Sequence, residues 1–134
     1  MENNNKSKNT KYQDYVIKDG KLVGQFEEMY QNFEDPWEQS VKEEWASEKA
    51  VALNLIIKHN AQKVIELGCG LGHYTKKIHD SGINIQGVDV SQTAIDKAKA
   101  NYPDCDFKVA DILDFSIYRD YQPDIIIMAE ITWY

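Results

Sequence analysis

From Val64 onward, the apolar positions switch repeatedly between the period of a strand and that of a helix. Val64-Ile65-Glu66-Leu67 is an apolar run interrupted by one carboxylate, and it breaks into glycines at alternate positions, Gly68, Gly70 and Gly72. This reads as a buried strand feeding a loop whose backbone must be approached closely. His73 to Asp80 has a helical pattern that stops at Ser81-Gly82, a C-terminal glycine signal. Ile83 to Val90 alternates as a second strand. Ser91 stands where an N-cap belongs, ahead of a helix through Ala100 with Ala94, Ile95, Ala98 and Tyr102 inward, and Pro103 ends it. A third strand is expected over Asp106 to Ala110, followed by a loop with at most one helical turn over Asp111 to Tyr121. Pro123 to Ala129 is a continuous apolar run of the kind found in a strand covered on both faces. Strands alternating with helices predict an α/β fold, a doubly wound parallel sheet with right-handed crossovers.

Upstream, Ala46, Ala50, Leu53 and Ile57 fall at i, i+4, i+7 and i+11, a stripe expected to pack a helix on the sheet. Between Tyr12 and Trp45, aromatics recur among acids: Tyr12, Tyr15, Phe26, Tyr30, Phe33, Trp37 and Trp45. This predicts an amphipathic, helical N-terminal appendage, with Asp35-Pro36-Trp37 as a helix start in which Asp caps and Pro takes the first position. Met1 to Lys11 is polar and is expected to be a disordered tail. The expected division is therefore 1–11 tail, 12–45 appendage and possible lid, 46–134 ligand-binding domain. No repeat is present beyond the strand-helix alternation itself.

Composition narrows the ligand. The formal charge of -7 argues against a phosphate-binding face for nucleic acid, so a small molecule is the expected partner. No apolar run is long enough to span a bilayer and the N-terminus has no signal-peptide core, so a cytoplasmic protein without a membrane partner is expected. Cys69 and Cys105 lack the spacing of a zinc or redox motif and read as reduced thiols, with no metal expected.

In parallel sheets ligands bind outside the carboxyl ends of the strands, and here acids stand at those ends: Glu66, Asp89, Asp111 and Glu130. Asp89 lies nineteen positions after Gly70, where an acid at the end of a second strand can accept from ribose hydroxyls. Turn capping is the competing role for each acid. A dinucleotide fingerprint requires its third glycine one residue later than Gly72, and Glu66 is a poor neighbour for a pyrophosphate but a good one for an ammonium group.

These residues resemble motif I of the class I S-adenosylmethionine-dependent methyltransferases, whose Glu/Asp-x-Gly-x-Gly-x-Gly is met by Glu66, Gly68, Gly70 and Gly72. Gly87-Val88-Asp89-Val90-Ser91 resembles the family's second-strand motif, Val109-Ala110-Asp111-Ile112 its adenine-binding motif, and Pro123-Asp124-Ile125-Ile126 its fourth strand. The resemblance covers about residues 47 to 134 and implies a Rossmann-like sheet that binds S-adenosylmethionine and releases S-adenosylhomocysteine. It implies that Gly68 and Gly70 face the methionyl part, within a loop that includes Cys69 and Gly72. Glu66 would help hold the amino group, Asp89 with Val90 would serve the ribose end, and Asp111 with Ile112 the adenine.

Asp35-Pro36-Trp37 and Glu130-Ile131-Thr132-Trp133-Tyr134 resemble features of the small-molecule methyltransferases related to nodulation protein S, which implies methyl transfer to N or O of a small polar metabolite, such as a sugar or glycan precursor. Glu130 is the candidate to orient or deprotonate the acceptor, with Tyr134 second. Tyr30, Trp37 and Trp133 are candidates to cover the substrate. His73 reads as structural or solvated rather than as a base. The family sheet has order 3-2-1-4-5-7-6, and the 3-2-1-4 half is expected here, leaving an exposed apolar edge at Ile125 to Met128. That edge suggests a homo-oligomer or a partner chain. A non-catalytic cofactor-binding or assembly module and an NAD-dependent oxidoreductase are the alternative readings.

Overall fold

The computed structural model describes residues 10–40, 47–129 and Ile131. Along the chain a short 3-10 helix, Tyr12–Tyr15, precedes β1 (Ile17–Lys18), β2 (Lys21–Leu22), α1 (Phe26–Asn32) and α2 (Ser47–Lys58). Then come β3 (Lys63–Leu67), α3 (His73–Asp80), β4 (Asn84–Asp89), α4 (Gln92–Asn101), β5 (Asp106–Val109), α5 (Ser116–Tyr121) and β6 (Ile125–Ile127). The last four strands form one parallel sheet of order β5-β4-β3-β6, the expected 3-2-1-4 arrangement.

Strand alternation divides the core. Val64 and Ile85 pack on one face with Tyr74 and Ile78 of α3 and Ile56 of α2. Ile65, Leu67 and Val88 point to the other face, against Ile117 of α5. Each such side chain contributes about 1.5–3 kcal/mol by leaving water, and every residue of β3 after Lys63 is buried. Phe107 of β5 packs with Ile95 and Ala98 of α4. Ser91 caps α4 as expected, accepting from the Ala94 amide at 3.0 Å. The start of β3 is pinned to the start of β6: the Asp124 carboxylate accepts from the Gln62 and Lys63 amides at 2.8 and 2.9 Å.

The N-terminal segment is fastened to α4 at both ends of α1. The Glu27 carboxylate accepts from the Ser91 hydroxyl and from the Thr93 amide and hydroxyl. Lys97 Nζ donates to the carbonyls of Tyr30, Phe33 and Glu34 at 2.9, 3.0 and 3.2 Å, placing a cation where the helix leaves carbonyls unpaired.

Four expectations are corrected. The segment from residue 12 is not wholly helical: β1 and β2 form a hairpin whose turn residues, Asp19 and Gly20, both have positive φ, 52° and 73°, the geometry that Asp-Gly favours between strands. Asp35 does not start a helix within residues 36–40. Its carboxylate instead closes turns by accepting from the Gln39 and Ser40 amides at 2.8 and 2.7 Å. The buried line of α2 is Ile56 with Leu53 beside it, while Ile57 is 55% exposed. Apolar residues cover most of the circumference of this helix, leaving only a narrow polar side at Ser47, Asn54 and Lys58, so its phase was weakly marked. Lys11, expected in the tail, already donates its amide to Asp14 at 3.0 Å. Trp45 and Ala46 lie outside the described residues. The expected edge is present: β6 pairs with β3 alone among the described strands, with Ile126 and Met128 about half exposed.

Candidate cofactor site

The loop from Gly68 to Gly72 connects β3 to α3 and lies across the carboxyl end of β4. The Cys69 amide donates to the Val88 carbonyl at 3.0 Å, and the Gly70 amide donates to Asp89 Oδ2 at 3.0 Å. The other oxygen of Asp89 accepts from the Ser91 amide at 3.0 Å, so one carboxylate joins the glycine loop to the start of α4. Asp89 is only 9% exposed. Burial pushes its carboxyl up, while the Ser91, Gly70 and Val90 amides pull it back. Each oxygen keeps a lone pair for an additional donor, which suits the hydroxyls of a ribose.

Glu66 sits beneath the loop and is buried, with Thr75 of α3 donating its hydroxyl to Oε2. Burial raises its carboxyl to about 7, partly offset by Thr75 and by the charge of Lys49. Two poorly solvated carboxylates beside one glycine loop suit a ligand with a cationic end and hydroxyls, and oppose a pyrophosphate. The residues therefore fit S-adenosylmethionine better than a dinucleotide.

The glycines have reasons internal to the protein. Gly70, at φ 54°, leaves room for the N-terminal segment: a Cβ there would lie 2.9 Å from both the Tyr30 hydroxyl and Gln39 Oε1. Gly72, at φ 83°, admits α4, since its Cβ would meet Phe107 at 2.5 Å and Ala98 at 3.2 Å. Gly68 likewise accommodates Ile131. The spaces that side chains at these positions would fill are thus taken by protein, which leaves backbone amides and Cα hydrogens as the groups able to meet a ligand. Cys69 turns its side chain into the cluster of Ile95, Ala98 and Phe107, and burial pushes its thiol well above the ordinary range.

Other expected residues separate into buried and open sets. Asp111 is exposed, its carboxylate accepting from the Leu113 amide at 2.8 Å. Val90 and Ile112 are 52% and 42% exposed at the ends of β4 and β5, the two ends being tied by the Ala110 amide to the Asp89 carbonyl at 3.0 Å. Tyr30 does not offer its ring as a cover. The ring is 3% exposed and packed with Val16, Met29, Leu71 and Ala94, leaving the hydroxyl to face Gly70. Trp37 is half-buried, edge-on to Tyr12 at 5.0 Å. His73 bonds through Nδ1 to the Tyr102 hydroxyl, and burial lowers its pKa. Glu130, Trp133 and Tyr134 lie outside the described residues. Sequence reasoning missed Gln39, whose Oε1 accepts from the Leu71 amide at 3.2 Å. A glutamine after an unstructured turn carries no periodic signal, so only the folded chain brings it to the loop.

Residues 64–134 match the model of the methyltransferase domain family. The chain belongs to the class I S-adenosylmethionine-dependent methyltransferases. S-adenosylmethionine is the cofactor of this family, which sets the oxidoreductase reading aside. Trans-aconitate 2-methyltransferase of Escherichia coli is 32% identical over 108 residues, 72% of this chain and 40% of that one. Malonyl-[acyl-carrier protein] O-methyltransferase of Anoxybacillus flavithermus is 37% identical over 89 residues, 63% of this chain and 34% of that one. The chain thus spans about 40% or less of the length of these curated relatives. Among solved structures, a protein that converts a disulfide bond into a thioacetal group during echinomycin biosynthesis is 27% identical with a TM-score of 0.52, over 60% of this methyltransferase chain and 36% of its own. A putative caffeoyl-CoA O-methyltransferase from Staphylococcus aureus shares the fold, at 19% identity and a TM-score of 0.54 over 61% of this chain and 44% of its own. Among the described residues no helix is long and apolar enough to cross a membrane.

Proposed function

We propose that this methyltransferase chain binds S-adenosylmethionine across the carboxyl ends of β3, β4 and β5, and that the protein transfers a methyl group to oxygen or nitrogen of a small polar metabolite. The observation that carries the reading is Asp89: a buried carboxylate at the end of β4, held on both oxygens by amides and beside a second buried carboxylate. In this reading Asp89 accepts from the ribose hydroxyls with Val90 alongside. Glu66 faces the ammonium end from beneath the loop of Gly68, Cys69, Gly70 and Gly72. Asp111 and Ile112 take the adenine, and the Tyr30 hydroxyl and Gln39 carboxamide hold the loop beside the methionyl part.

When bound, the cofactor supplies a methyl group activated on a sulfonium. The protein's task is to hold an acceptor in line with it and to exclude water. Glu130 is proposed to orient or deprotonate that acceptor, with Tyr134 second and with Trp37 and Trp133 beside it. The relatives named for trans-aconitate and for a malonyl group support a small polar acceptor, and one is named for oxygen. A sugar or glycan precursor is the narrower proposal, resting on the likeness of Asp35-Pro36-Trp37 and the segment from Glu130.

Calorimetric titration of the chain with S-adenosylmethionine and S-adenosylhomocysteine, with NADH as control, tests the reading. Binding of the first two alone is expected, and Asp89→Ala should abolish it. Unchanged affinity in that variant would sink the ribose role. A second reading, a binding module without turnover, is favoured by the open β6 edge. It predicts cofactor binding without methyl transfer to any matched acid, sugar or amine.

A further inference from the structure

The end of α3 remote from the glycine loop holds a second concentration of chemistry that the cofactor reading does not use. α3 closes on His79 and Asp80, and the turn between α4 and β5 brings Asp104 and Cys105 against them. His79, Asp104 and Cys105 each offer one donor atom, and these atoms lie within 4.8 Å of one another. His79 Nδ1 is 3.5 Å from Asp80 Oδ1 and 3.8 Å from Asp104 Oδ2. This nitrogen is shielded from solvent and faces both carboxylates.

A tetrahedral cation with ligands at roughly 2.0–2.3 Å spaces its donor atoms about 3.3–3.8 Å apart. The separation between His79 Nδ1 and Asp104 Oδ2, 3.8 Å, already falls near that spacing, and no two of the three donor atoms are more than 4.8 Å apart. One nitrogen, one oxygen and one sulfur form a mixed set that suits a borderline-soft ion and not calcium or magnesium, which take oxygen. A cation already occupies part of this position: Lys76 Nζ bridges Asp80 Oδ1 and Asp104 Oδ2 at 2.8 Å each.

We propose that His79, Asp104 and Cys105 form a zinc site, with water as the fourth ligand and Lys76 as its built-in competitor. On binding, Asp104 passes from the ammonium to the metal while Lys76 keeps Asp80. The Cys105 thiol releases its proton to solvent and no redox change occurs. The ion would fasten the end of α3 to the turn that leads into β5. Cys69, the other thiol, is 1% exposed in a separate cluster and does not compete.

The test titrates the full chain with cobalt(II) and then with zinc(II), following the thiolate-to-cobalt charge-transfer band and the alkylation rate of Cys105. One cobalt per chain with a tetrahedral spectrum is expected, with displacement by one zinc and protection of Cys105. Cys105→Ser should remove the band, His79→Gln and Asp104→Asn should each weaken zinc affinity at least tenfold, and Lys76→Met should tighten it. Zinc should also raise the Tm of the parent by several degrees and leave that of His79→Gln unmoved, with circular dichroism confirming that each variant folds. An octahedral cobalt spectrum without a thiolate band would overturn the proposal, as would zinc affinity indifferent to His79→Gln. Affinity unchanged in Lys76→Met would overturn the competitor role.

Discussion

The two ends of α3 have similar turns in opposite surroundings. Each is flanked by a glycine in the left-handed region, Gly72 at φ 83° and Gly82 at φ 81°. At the first end a Cβ would collide with Phe107 at 2.5 Å; at the second, nothing lies within 4 Å. The charges differ in the same way. Near the first end lie Glu66 and Asp89, both buried and both raised by desolvation. At the second, Asp80 and Asp104 are exposed, and the Lys76 ammonium pulls both below the ordinary carboxylate range. One helix thus joins a desolvated end, where a lost contact is felt in full, to a more open end whose exposed carboxylates are screened by water.

The sharpest way to break this comparison is to add the same methyl group at each end. Gly72→Ala combines left-handed strain with overpacking and should cost about 3–5 kcal/mol of stability, whereas Gly82→Ala should cost about 1 kcal/mol from strain alone. Urea denaturation of the two variants measures the gap, and equal losses would mean that the loop yields.

Second in size is the pH dependence of Glu66. Its carboxyl stands at about 7 in the folded chain against an ordinary 4.5, so folding takes up a proton between those values. The stability this adds is complete below pH 4.5 and is lost as pH rises through 7. Glu66→Gln should flatten that slope, gaining about 3 kcal/mol relative to the parent between pH 4 and pH 8. Asp80 and Asp104 have the opposite sign, their stabilisation fading as pH falls below 3.8, and solvent screening keeps that part of the curve shallow. A slope from pH 5 to 8 that is the same in Glu66→Gln as in the parent would refute the burial of Glu66, since His73, lowered by burial, contributes to both curves alike with the opposite sign.

The smallest expected effect is that of Lys76→Ala. Its two ion pairs are open to water, with Lys76 half-buried and both carboxylates exposed, and the urea midpoint in metal-free buffer with about 0.15 M salt should move little.

How much of this was legible depended on whether a residue's role was local. The strand-glycine-helix passage from Val64 to Asp80 could be read because burial, turn and helix signals agree there, and the Ser91 cap could be read from its place before Ala94 and Ile95. The hairpin at Asp19-Gly20 carried a readable signal that aromatic spacing outweighed. The face of α2 was hard to read, since Ser47, Asn54 and Lys58 mark only a narrow polar side opposite Ile56 while Val51, Leu55 and Ile57 spread apolar surface over most of the rest. Asp89 announced itself by spacing from Gly70. Tyr30 and Gln39 did not: their place over the glycine loop follows from Glu27 gripping the start of α4 and from Lys97 of α4 gripping the carbonyls after α1, a tertiary arrangement with no local pattern.

The Asp124 clasp has a consequence for the order in which the sheet comes apart. It joins strands 62 positions apart in the chain, and β6 has three residues and, among the described strands, one neighbour. Release of that carboxylate together with the short β3–β6 ladder frees β6 while β3 keeps its ladder with β4 and β4 keeps its ladder with β5. Amides of Ile125 to Ile127 should therefore exchange with deuterium through a local opening, well ahead of those in Ile65 to Leu67, which wait for global unfolding. The platform beneath Asp89 and the strand beside it thus breathe on separate clocks.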